Sequence, residues 1–207
     1  EISNKGTFDA HAEASGIKPG GSGTTPLIVN TGTFEKSSFT GTEKVSVPFD
    51  NEGAVKALSG KLDFLDGGTS GVSHVGSWAA SAGAELRFEE GTFSLGSTAT
   101  MEGAVTITGS APTVPGALLS AGKLEAGSAH ITIEKGLATG PTLELNGPGT
   151  SSISELSLLS GGILSGSGTV EVTKALEWTN GKMTGSGTTI VAAAVSGTAN
   201  ENSILAS

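Results

Sequence analysis

Few residues in this chain are of types that carry out chemistry, and their spacing limits what they can do. Three Asp follow residue 49, at Asp50, Asp63 and Asp66, and none comes after them. Glycosidic hydrolysis needs two carboxyls held roughly 5 to 9.5 Å apart across a groove. Asp63 and Asp66 flank Phe64 beside a turn, which reads as a solvated strand end. Glu89-Glu90 is the only acidic doublet and precedes Gly91, as a corner charge that discourages aggregation would. Asp50 with Glu52, or Asp63 with Asp66, supplies oxygen donors of the calcium type, without the Gly-Gly-x-Gly-x-Asp repeat that builds such sites. His11, His74 and His130 stand far apart, none in a His-x-His or His-x-x-x-His pair, and His11 with Glu13 lacks a third ligand. The reading is therefore of no catalytic residue, no metal and no cofactor. Trp78 and Trp178 are the remaining candidates. An indole on a flat strand face is a platform for a sugar ring, and its alternative is to fill the core.

Composition narrows the partners. Twenty acids oppose eleven bases for a net charge of −9, and Arg87 is the single arginine. Nucleic-acid binding needs clustered Lys and Arg, so no nucleic-acid partner is expected. There is no Cys, hence neither disulfide nor thiolate chemistry. No apolar stretch reaches the length of a membrane span, so no membrane insertion is expected.

The elements that must hold these residues are announced by a period. From Leu86 onward one apolar position recurs every 19 residues, at Phe88, Ile107, Ala126, Leu145, Leu164 and Met183. A second column falls at Ala99, Leu118, Leu137, Leu156, Ala175 and Ala194. The corners Gly147-Pro148-Gly149-Thr150, Gly166-Ser167-Gly168-Thr169 and Gly185-Ser186-Gly187-Thr188 keep the same step. A fixed period near 20 residues marks a solenoid whose turns bury apolar side chains only by stacking on one another. Short alternations such as Leu143-Glu144-Leu145 and Val170-Glu171-Val172 are strands, and no apolar spacing of helical type occurs. The expected fold is all-β: a single-stranded parallel β-helix, right-handed by the general preference of parallel crossovers. About ten coils of 19–26 residues would make a body about 45 to 50 Å long. Residues 1–207 read as one continuous β-solenoid, with irregular coils over 1–85 and regular 19-residue coils over 86–207.

Within the first part, Asn4-Lys5-Gly6-Thr7-Phe8, Asn30-Thr31-Gly32-Thr33-Phe34 and Asn51-Glu52-Gly53-Ala54-Val55 are three copies of one motif. The Asn side chains suit either an internal amide ladder between coils or local turn chemistry. The central Gly implies a positive backbone angle or a close approach between coils. Residues 15–26, rich in Pro and Gly, read as a loop bulging from a corner. Gly109 to Gly116 reads as a second excursion across which the 19-residue step survives. Neither terminus offers an amphipathic cap over an open stack, so either further coils of the parent chain or another copy is expected to stack there.

Asn30 to Lys36, Val45-x-Val-Pro-Phe49, Asn51-x-Gly-x-Val55 and Ser59-Gly-x-Leu-x-Phe64 together resemble a repeat of large secreted bacterial proteins. Leu176 to Thr188, Leu-x-Trp-x-x-Gly-x-Met-x-Gly-Ser-Gly-Thr, looks like a companion repeat of the same proteins. The resemblance implies a parallel β-helix in an extracellular, adhesin-like or filamentous-haemagglutinin-like setting at the bacterial surface. The function expected is a non-enzymatic stalk or adhesin segment. Its alternatives are a filament subunit that stacks end to end on itself and a β-helix that binds glycans through Trp78 or Trp178.

Overall fold

The computed structural model describes residues 1–11, 16–21, 23, 26–192 and 204–205. Among these the chain forms strands and turns throughout, with no helix. In order the strands are β1 (Ile2–Asn4), β2 (Thr7–Asp9), β3 (Ile28–Asn30), β4 (Thr33–Lys36), β5 (Thr42–Val45), β6 (Phe49–Asn51), β7 (Ala54–Ala57), β8 (Lys61–Phe64), β9 (Ser77–Ala80), β10 (Glu85–Phe88) and β11 (Thr92–Leu95). There follow β12 (Thr100–Ile107), β13 (Leu118–Ala121), β14 (Glu125–Glu134), β15 (Thr142–Leu145), β16 (Thr150–Leu159), β17 (Ile163–Ser165), β18 (Thr169–Thr179), β19 (Lys182–Met183), β20 (Thr188–Val191) and β21 (Ile204–Leu205).

Each coil visits three faces. The first runs β2-β4-β7-β9-β12-β14-β16-β18-β20, nine parallel strands that make about eight turns rather than ten. The second runs β5-β8-β10 and continues in the C-terminal halves of β12, β14, β16 and β18. The third holds β1-β3-β6 and then β11-β13-β15-β17-β19-β21. Those two sheets are joined through residues 67–74, where Phe49 N donates to Gly67 O and Gly68 N to Thr92 O. Eight turns at about 4.8 Å each give a stack near 40 Å. From β12 on, the first and second faces merge into single long strands that bend at an irregular step in the pairing. In β12 that bend uses Gly103 at φ +73°, where a Cβ would overlap the carbonyl oxygen of Ala80.

The register departs from a constant 19 residues, and the cause is loop length. Phe88 does stack on Ile107 and Leu164 on Met183, and Thr150, Thr169 and Thr188 are consecutive partners. Ile107, however, pairs with Ile133, 26 residues on, because residues 109–116 add a loop that the constant step ignores. Ala126 stacks on Ile153, on the first face, and Leu145 beside Ala121, on the third. These side chains are buried, but they do not form one column. The second column fares worse. Leu156 is buried, whereas Leu118 points outward between Thr92 and Thr142, and Leu137 lies in a loop at 65 % exposure. Ala175 lies opposite Glu155, and Ala194 lies outside the described residues.

The columns that do form fill the interior. Phe8, Phe34, Val55, Trp78 and Met101 stand in register on the first face, followed by Ile153, Val172 and Val191. Val45, Phe64, Phe88, Ile107, Ile133 and Leu158 follow one another on the second. Aromatic rings meet across the interior in the early coils, with Phe8 and Phe34 stacked at 5.2 Å and Trp78 edge-on to Phe64 at 5.3 Å.

The Asn motif serves both of its expected purposes. Asn4 Nδ2 donates to Asn30 Oδ1 at 2.7 Å and Asn30 Nδ2 to Asn51 Oδ1 at 2.8 Å, which is a ladder between coils. Asn51 Oδ1 also accepts from Gly53 N, two residues on, which is turn chemistry. The Gly of the motif is there for close approach. A Cβ on Gly32 would overlap Gly6 O, and one on Gly53 would overlap Gly32 O.

Candidate functional site

Alternation along the strands sends polar side chains to the outside, and stacking then gathers them into strips that no sequence spacing reveals. On the second face Lys44, Asp63, Arg87, Thr106, Thr132, Ser157 and Glu177 are successive register partners. Among the described residues, groupings around Arg87, His130 and Asp9 each bring titratable side chains and hydroxyls together.

The first surrounds the single arginine. Arg87 Nη1 lies 3.3 Å from Glu89 Oε1 and 3.9 Å from Asp63 Oδ2, while Nε is 3.7 Å from Glu85 Oε1. Glu85 has other partners: Lys61 Nζ at 2.9 Å and the Thr106 hydroxyl, which donates at 2.6 Å. Burial tends to raise the Glu85 pKa, but these hydrogen bonds and the charges of Lys61 and Arg87 outweigh it and hold the carboxyl low. Asp63 behaves oppositely. Its side chain is 2 % exposed, and burial followed by the nearby Glu89 carboxylate raises its pKa to about 7 against the pull of Arg87 and Lys44. The solvated strand end read from the sequence is thus a buried acid, because Asp63 lies between two neighbouring coils. Asp66 is exposed, and its pKa is raised by partial burial and by Glu90.

The second grouping lies on β14 and β16. His130 Nε2 is 2.9 Å from Ser157 Oγ, and His130 Nδ1 is 3.8 Å from Glu155 Oε2. The Ser157 hydroxyl also donates to Glu177 Oε2 at 3.3 Å. Glu155, His130 and Ser157 stand in the carboxylate, base, hydroxyl order of a nucleophile triad, with the one Ser157 proton turned to Glu177 instead of to the base. The surroundings lack the rest of such a site: Ser157 sits mid-strand, paired to Thr132 on one side and Glu177 on the other, so its main chain is engaged in the ladder instead of forming an oxyanion hole. A separation of 27 residues between His130 and Ser157 carries no local motif, so only the coil register could have joined them.

The third grouping is Asp9, His11 and Ser37. Asp9 Oδ2 accepts from Ser37 Oγ at 2.5 Å and meets His11 Nε2 at 2.7 Å. Burial would raise the Asp9 pKa, but the bonds from Ser37 and His11 more than offset it and lower it. Glu13, the expected companion of His11, lies outside the described residues. Among the described residues no three His, Asp or Glu side chains converge as metal ligands.

His74 is the least expected of the histidines. It continues the Asn motif as His74-Val75-Gly76-Ser77-Trp78 and is fully buried at the end of the amide ladder. Asn51 N donates to its Nδ1 at 3.1 Å, which places the ring proton on Nε2 in the neutral form, where it has no protein partner. Burial lowers its pKa, opposed by Asp50.

The two tryptophans stand in different surroundings. Trp78 is 0 % exposed among Phe49, Phe64, Phe88 and Phe93, so no indole face is open to a sugar, and the core is its place. Trp178 stacks on Leu158, half-buried against the core, and its Nε1 donates to Gly181 O at 3.0 Å. It lines a hollow of about 300 Å³ with Leu164, Val170, Leu176, Met183 and Val191 in the last described coils. A second crevice of about 310 Å³ lies between the loop at Val114 and Pro115 and the corner at Asp66 and Glu90.

No family model matches the chain, and no curated protein and no solved structure matches it either.

Proposed function

We propose that this chain is a non-enzymatic structural module, a rigid segment of a bacterial surface or secreted protein that acts as a stalk or adhesin spacer outside the cell. The observation that carries the reading is the run of nine parallel strands on the first face, each paired to the next, with core columns continuing through them. In a solenoid every coil is held by its two neighbours, so force applied along the axis is shared by a whole set of main-chain hydrogen bonds at each step. The outer faces support the reading through their Ser, Thr and charged side chains, spread over the strands instead of gathered in a groove. The resemblance at Asn30 to Phe64 and Leu176 to Thr188 supports the extracellular bacterial setting.

Single-molecule pulling between the two ends tests it. A stalk resists and then lengthens in steps of one coil, 19 to 27 residues each. Collapse in one low-force step would contradict a mechanical role. Light scattering over a concentration series tells whether copies also stack on one another into filaments.

A further inference from the structure

We propose that a proton held on Asp63 against the Glu89 carboxyl locks the step between β8 and β10, making it a pH-responsive joint in the stack. The inference does not rest on the stalk reading, since it concerns how one step of the solenoid is held whatever the rod is for.

Three carboxyls meet at this place, Asp63 on β8 and Glu85 and Glu89 on β10. The cations that face them are Lys44 on β5, Lys61 on β8 and Arg87 on β10, and β12 contributes the neutral Thr106. Lys61 and Thr106 are already engaged with Glu85. Lys44 is exposed, and its charge is screened by water. Two carboxyls that are 2 % and 7 % exposed are thus left with one guanidinium nitrogen, 3.9 and 3.3 Å away. Asp63 Oδ1 has no hydrogen-bond partner at all. Two buried anions side by side with one cation are costly, and a shared proton turns that repulsion into an O–H donor between the two oxygens.

The pair sits where its repulsion would act on stacking. Phe64 follows Asp63 and Phe88 precedes Glu89, and the two rings stack at 5.6 Å. Glu89 N donates to Phe64 O at 2.9 Å across the same step. Loss of the proton therefore pushes apart the coils that this ring pair and main-chain bond join. The direction with pH follows from linkage. Asp63 holds its proton to about pH 7 in the folded chain but only to about 3.8 when unfolded. The stabilisation is full below the lower value and is lost as pH rises through the upper one.

Carboxyl ¹³C NMR titration of the whole chain, beside thermal melts of the wild type and Asp63→Asn from about pH 4 to about pH 8, tests the joint. One aspartate carboxyl titrating near 7, a wild-type melting temperature that falls by several degrees over that range and a flat profile in Asp63→Asn are the expected results. Glu89→Gln should move the Asp63 titration back toward the ordinary carboxylate range, a readout that a merely structural role would leave in place. Aspartate carboxyls that all titrate in the ordinary range would overturn the proposal even if a variant fails to fold. A decline of unchanged size with rising pH in Asp63→Asn would overturn it too.

Discussion

The coils before residue 96 and those after residue 146 solve the same packing problem with different materials. In the early coils Phe8, Phe34, Phe49, Phe64, Trp78, Phe88 and Phe93 interlock, and Lys36, Glu43, Asp50, Asp63, His74 and Glu89 are buried beside them. Lys36 is an instance of what that requires: its ammonium, wholly shielded from solvent, donates to the carbonyls of Ser38, Phe39 and Ser59 at 2.6 to 2.9 Å. In the late coils the interior is Leu, Ile, Val and Met, and no charged side chain is buried among the described residues. Regular spacing and specific packing are therefore different properties. Near-identical 19-residue coils place apolar side chains on apolar side chains even when shifted by one coil, so their uniqueness is weakly enforced. Distinct rings, an amide ladder and buried charges each accept one neighbour only, which is how the irregular coils specify their order.

The contrast can be broken at its strongest point first. Trp78→Ala removes the ring that touches both Phe64 and Phe88, and should cost about 3–5 kcal/mol in denaturant unfolding. Ile153→Val, on the same face in the late coils, should cost only about 0.5–1.5 kcal/mol. Equal costs would mean that early and late coils are packed with the same specificity. Next comes the ladder. Asn30→Ala removes the ladder bonds to Asn51 Oδ1 and from Asn4 Nδ2, while Gly53 N still donates to the first and Thr33 O still accepts from the second, so the cost should be about 0.5–1.5 kcal/mol per hydrogen bond lost.

A smaller effect comes from acid. His74 is neutral in the folded chain with its pKa lowered by burial, so the unfolded chain binds its proton first. Its contribution is complete above the unfolded value of about 6.5 and is lost as pH falls through the folded one. His74→Gln should flatten the acid limb of a melting profile and leave its alkaline limb unchanged. Smallest of all is Leu137→Ser. A side chain in a constant 19-residue core column would cost several kcal/mol on truncation, whereas Leu137 at 65 % exposure should change stability by no more than about 0.5 kcal/mol.

Leu137 also marks the boundary of what spacing reveals. The strands, the parallel stacking and the Gly-Ser-Gly-Thr corners were legible because short alternations and a repeated corner are local signals. Phase across a loop is not local: the insertions at 109–116 and 135–141 lengthen two coils, and an apolar residue every 19 positions survives by coincidence in a chain this rich in Leu, Ala and Val. The polar groupings were hidden for the same reason. Asp63 and Glu89, or His130 and Ser157, become neighbours only once the step between coils is known. Glu89 looked like half of a surface doublet, yet only Glu90 remains on the outside, with Ser110 as its donor. His74 carried a legible clue in its place ahead of Gly76 and Trp78, where the three earlier copies have Asn. Trp178 falls opposite Leu158, one residue away from the Leu159 that a 19-residue step selects, and that single residue turns its ring from the outer face to the core.

Deletion of residues 150–168 tests the account most directly. It removes one coil and joins Gly149 to Thr169, the register partner of Thr150. The account predicts a folded, cooperatively melting all-β chain whose solution scattering fits a rod shorter by about 4.8 Å with the same cross-section. A chain that no longer folds, or a rod of changed cross-section, would contradict the claim that this protein is a stack of coils held only by their neighbours.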